Sequence, residues 1–151
     1  MKKILSVTPG EKMAGAALLL LRVGLGLMML AHGLPKMQSL FSGEPIQFAS
    51  VFGMSPEVSL GLAVFAEVGC SILLMLGLAT RFAVVPLIVT MIIAVFVIHA
   101  NDPFAKYEMG LHYLLGYMVL LITGAGRYSL DALITDNASW NRHVPATVSI
   151  K

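Results

Sequence analysis

The chain has 151 residues, 58% of them hydrophobic and 12% charged, with a formal net charge of +2 and a mean hydropathy of +0.86. A soluble domain of this size has too little interior to hide so much apolar surface, so the composition selects a membrane protein. The mild, scattered positive charge forms no basic stripe and excludes a nucleic-acid interface.

The chain opens with Lys2, Lys3 and Lys12, and then runs apolar over about 14–31. No A-x-A-like exit follows, so this first span is expected to stay as an anchor. Arg22 sits inside the run, a permanent cation where lipid is expected, and Gly33 and Pro35 mark its end. Next, "EPIQFASVFG" (44–53) has proline near its start, a terminal glycine, and Ile46, Phe48, Val51 and Phe52 to bury. It is expected to form a short interfacial helix between spans one and two.

Ser55-Pro56 opens a second span over about 58–78, with proline in the first turn. Only Thr80-Arg81 separates it from a third span over about 82–100, which predicts a tight antiparallel hairpin. Pro86 falls near the start of that third span, where it is least disruptive. A fourth span covers about 109–125, and "GAGRYSLDALI" then ends it with two glycines before a helical turn that Ser129 can cap. Each run is close to the ~20 residues that cross ~30 Å of hydrocarbon as a helix. The expected fold is all-α, a four-transmembrane-helix bundle over 1–134, with a polar, irregular tail over 135–151.

Seven basic residues (Lys2, Lys3, Lys12, Arg81, Arg127, Arg142, Lys151) fall on one side and two (Lys36, Lys106) on the other. The positive-inside rule then puts both termini in the cytoplasm. One cysteine, Cys70, excludes an internal disulfide, a CxxC redox pair and covalent haem attachment. No GxGxxG or P-loop motif appears, so no flavin or nucleotide site is expected.

Two groups of ionisable residues stand out. Counted from the outer ends of their spans, Arg22 and Glu67 both fall near the bilayer midplane, where a lone charge costs ~3 kcal/mol. They are therefore expected to pair. Gly26, Ala63, Ala66 and Cys70 are small enough to let the two helices meet. Such a pair either fixes helix register or lines a proton or substrate path. The second group gathers at the outer face: His32, Lys36, His99, Glu108 and His112. These residues either snorkel at the headgroups, hold a metal or haem, or hydrogen-bond a quinone carbonyl. The missing paired spacing on one helix argues against the metal. Tyr107, Tyr113 and Tyr117 read as an aromatic belt, and the ten methionines as packing residues.

"RVGLGLMMLAHGLPKM", "AEVGCSILLMLGLATRFA" and "GAGRYSLDALI" together resemble the DoxX family of small bacterial four-helix membrane proteins, over roughly 14–134. Carried over position by position, the family marks fall on Arg22, His32, Lys36, Glu67, Arg81 and Arg127. The resemblance implies a multi-pass protein of the bacterial inner membrane, associated with a quinone-linked oxidoreductase. On that implication, quinone is the cofactor, with His32, Lys36, His99, Glu108 and His112 as binding residues and Arg22 and Glu67 as catalytic ones. Its partners would be the lipid bilayer, a protein of an oxidoreductase complex, and a second copy of the chain. The competing expectations are a small transport or binding module built on an Arg–Glu pair, and a structural or assembly factor.

Overall fold

The computed structural model describes residues 10–135, so Lys2, Lys3, Arg142, Lys151 and nearly all of the expected tail lie outside the described residues. All regular structure among the described residues is helical. Helix α1 is Glu11–Phe41, α2 is Pro56–Leu76, α3 is Thr80–Ile98 and α4 is Phe104–Thr123. A final helical turn occupies 130–135. Three of these helices, α1 to α3, are long and apolar enough to cross a membrane.

The packing is inverted relative to a soluble protein. Leu20, Leu27, Phe65, Phe82, Val89 and Phe96 are exposed along the outer faces of the helices, whereas Arg22, Glu67, Ser71 and Thr80 are buried. Apolar surface turned outward and polar groups turned inward suit a hydrocarbon solvent. Between the helices lies a core that includes Leu25, Met29, Leu74, Leu87, Tyr117 and Leu120.

Several boundaries follow the sequence. Ser55 caps α2, its hydroxyl accepting from the Val58 N–H at 3.4 Å, with Pro56 as the first helical residue. The α2–α3 connection is the expected tight hairpin, reduced to Gly77–Ala79, with Gly77 at φ +67° and Ala79 at φ +49°. The Ser129 hydroxyl caps the last turn, accepting from the Ala132 N–H at 3.1 Å.

Two expectations fail. Pro35 does not end the first helix: α1 continues through it for 31 residues in all, about 46 Å at 1.5 Å per residue. A proline inside a helix bordered by lipid is tolerated where neighbouring groups take up the freed carbonyl. The interfacial helix over 44–53 is also absent, since α1 consumes the chain to Phe41 and residues 42–55 run without helix. Instead that connection folds back, burying Val51 and giving its N–H to the Ser59 hydroxyl at 3.2 Å, while Phe52 stays exposed at φ +52°.

Candidate functional site

The two charged residues expected to pair are apart. Arg22 and Lys36 are 14 positions apart on α1, about 21 Å along its axis. Glu67 meets the Lys36 end and Arg22 meets the other. The reason is that α1 runs ten residues past Ala31 to Phe41, so Arg22 lies farther from its outer end than the apolar run alone implies.

Arg22 is buried to 2% exposure, and its guanidinium closes the C-terminal end of α2. It donates to the Leu74 carbonyl at 3.5 Å, to the Met75 carbonyl at 3.1 Å, and to the Tyr128 carbonyl. The last-turn carbonyls of a helix have no partner within it and sit at the negative end of its dipole, so a cation suits them. Across the same turn, Asp131 accepts from the Ala79 N–H at 2.7 Å and the Thr80 N–H at 3.0 Å, capping α3. Arg22 and Asp131 thus fasten the segment after α4 onto the α2–α3 hairpin. Gly77 suits this point, because its φ of +67° favours glycine and a Cβ there would run into the Arg22 guanidinium and Ser129.

The other end holds a cavity of about 190 Å³. Glu67, only 1% exposed, sits on a π-helical turn (Phe65–Cys70) within α2, a distortion that often marks functional positions. Lys36 Nζ donates to Glu67 Oε1, while Glu67 Oε2 has no hydrogen-bond partner among the described residues. Gly33 makes this approach feasible: a Cβ there would lie 2.9 Å from the Glu67 Cβ. The Lys36 ammonium also lies 5.9 Å from the centre of the Phe48 ring, which the folded-back connection supplies.

His32, Lys36 and His99 line this cavity with Glu67, joined by Tyr107 and Tyr113. The His32 and Tyr113 rings meet edge to face at 6.0 Å. His99 Nδ1 donates to Asp102 at 2.7 Å, and this bond, with the nearby Lys106 charge, holds the Asp102 carboxyl below the usual range against a smaller opposing effect of burial. His112 and Glu108 do not join the cavity. The exposed His112 donates to the Glu108 carbonyl at 2.9 Å and faces a separate groove. Among the described residues no group of three His, Cys, Asp or Glu side chains gathers to hold a metal.

The sequence reading overlooked Lys36 as the partner of Glu67, Asp131 as a cap, and Tyr113 as a cavity wall. Gly33 was the available signal. A glycine three residues before Lys36 shares its side of α1 and permits close approach by another backbone.

In comparisons with known proteins, the DoxX family model matches residues 17–100. A protein of Haemophilus influenzae (strain ATCC 51907 / DSM 11121 / KW20 / Rd) described as an uncharacterized protein is 30% identical over 128 residues, covering 80% of this chain and 85% of that one. No solved structure matches the chain.

Proposed function

The chain belongs to the DoxX family of membrane proteins, and from that premise we propose that it is a multi-pass inner-membrane subunit supporting quinone-coupled oxidoreduction with a partner protein. In this reading α4 is the fourth span. Its 20 residues extend about 30 Å, with Lys106 and Glu108 among the first five at one interface. Both termini then face the cytoplasm. Reporter fusions after Arg81 and after Trp140 are expected to report a cytoplasmic position and a fusion at Gly43 an external one. An external signal after Arg81 would overturn this topology.

The observation that carries the ligand reading is a carboxylate 1% exposed in the wall of a cavity, with Lys36 on one oxygen and no partner on the other among the described residues. Buried polar atoms find partners, and a bound polar molecule would supply this one. A dry cavity of ~150 Å³ holds a benzene ring, so about 190 Å³ suits a single substituted ring and is too small for haem. Lys36, His32 and Tyr113 carry hydrogen-bond donors for ring carbonyl oxygens, while Met29 and Met91 offer apolar walls.

When bound, a quinone supplies the two-electron, two-proton couple with its quinol. A partner protein would have to supply or take up the two electrons, since this chain has no carrier motif of its own. Glu67 and Lys36 hold and pass the protons at the ring oxygens, and His32 orients the ring. Arg22 then serves the architecture and leaves the chemistry to the other end.

The test is direct binding of a short-chain ubiquinone to purified protein. Wild type is expected to bind, and His32→Ala to weaken binding about five- to tenfold, the loss of one hydrogen bond worth ~1–1.5 kcal/mol. His32 is exposed, so its removal should leave unfolding of the ligand-free protein unchanged. A wild-type protein that binds no quinone, or a variant that binds it equally well, would overturn the reading.

A further inference from the structure

Beside the polar cavity lies a second, larger hollow of about 380 Å³ between α1 and α4. Its wall is mainly Leu25, Met28, Ala31 and Met109, with His112 at its edge. Three residues, His32, Met109 and Tyr113, line both hollows. The His32–Tyr113 edge-to-face pair stands where the two meet.

The shape of the seam explains why the hollow exists. Near Gly116 the two helices come close, since a Cβ on that glycine would lie 2.7 Å from Leu25 Cδ1. Towards the Lys36 end the small Ala31 stands on α1, and the seam opens. Met28 and Met109 are 53% and 56% exposed there, so the hollow opens sideways through the outer surface of the bundle. In a membrane that surface meets acyl chains. Methionine is unbranched and adapts to an irregular apolar occupant.

We propose that the groove between α1 and α4 seats the hydrocarbon tail of a prenylated quinone whose ring occupies the Glu67 cavity, and that the molecule reaches the site sideways from the bilayer. This rests on the reading of the cavity as a quinone-head site. A chamber whose buried carboxylate keeps one oxygen without a partner, side by side with an apolar groove that shares three of its lining residues and opens to lipid, matches a ligand with a polar ring and one apolar chain. A water-soluble ligand would have no use for the groove.

The experiment compares a tail-less ubiquinone ring with a decyl-tailed analogue, using full-length protein in phosphatidylcholine nanodiscs. Affinities are expressed per mole of lipid, so that simple partitioning cancels. Ala31→Trp fills the groove from an exposed position, and its unfolding in the absence of ligand is measured alongside. The expected result is at least fivefold weaker binding of the tailed compound, with the tail-less ring bound as in wild type. A diazirine at the tail terminus should label peptides of α1 and α4 containing Met28 and Met109.

Equal binding of the tailed compound by Ala31→Trp and wild type would overturn the proposal, as would equal losses for both compounds. Labelling of the same peptides by a diazirine phospholipid to the same extent would reduce the groove to an ordinary lipid contact and also overturn it. Failure of the tail-less ring to bind wild type would instead bring down the head-group reading, and this proposal with it.

Discussion

Arg22→Met is expected to destabilise the folded bundle by about 3–5 kcal/mol, the largest effect of any single substitution considered. The guanidinium is 2% exposed and donates to three carbonyls, those of Leu74, Met75 and Tyr128. A hydrogen bond to a charged group contributes about 1.5–3 kcal/mol, and carbonyls left without a donor away from water add a penalty. The three bonds share one group and do not sum in full. Arg22→Lys should fall between, since a point charge keeps the dipole interaction but loses the planar fork that reaches carbonyls of both α2 and the segment after α4. Reversible unfolding in mixed detergent measures both. A loss under ~1 kcal/mol for Arg22→Met would show that these contacts contribute little. Because the Arg22 acceptors Leu74 and Met75 lie seven and eight residues along α2 from Glu67, about 10 Å or more, the effects of changing Arg22 and Glu67 should add within ~0.5 kcal/mol.

Lys36→Met is expected to cost about 2–3 kcal/mol, by stranding the Glu67 carboxylate. Breaking a fully buried pair typically costs ~3–5 kcal/mol, and the smaller figure allows for the Lys36 side chain being 34% exposed and partly screened. Glu67→Met should cost less, because the freed lysine can turn its ammonium to the interface. The double variant Lys36→Met/Glu67→Met is expected to recover most of the loss, with a coupling energy of at least ~1 kcal/mol in the cycle. Strict additivity of the two single losses would mean that the pair does not form.

The sequence was read well where local chemistry decides the outcome. Ser55-Pro56 and Ser129 are caps whose partners lie three residues away, and the α2–α3 hairpin is forced by the few residues between two apolar runs. Convergence of His32, Lys36 and His99 was also visible, because α1 and α3 run the same way and carry them to the same half of the bundle. What failed depended on distant partners. Pro35 is a stop signal in isolation, yet α1 passes through it and carries Lys36 to Glu67 on α2. Charge pairing by depth inherited that boundary error and joined Arg22 to the wrong residue. The apolar side chains over 44–53 suggested a helix, but Val51 alone among Ile46, Phe48, Val51 and Phe52 is buried, and a lone anchor needs no helical face. The π-helical turn under Glu67 leaves no periodic trace in a run of six residues.

The contacts of Arg22 also set a schedule for biosynthesis. The guanidinium enters the membrane with the first helix, but its acceptors on α2 are 52 and 53 residues downstream and Tyr128 is 106 residues downstream. At ~5–20 residues per second, the last acceptor is made roughly 5–20 s after Arg22 itself. For that interval the nascent chain carries an incompletely solvated cation, which holds the first helix near the translocon or the interface until the rest arrives. Docking of the 128–131 segment then completes the guanidinium's set of acceptors.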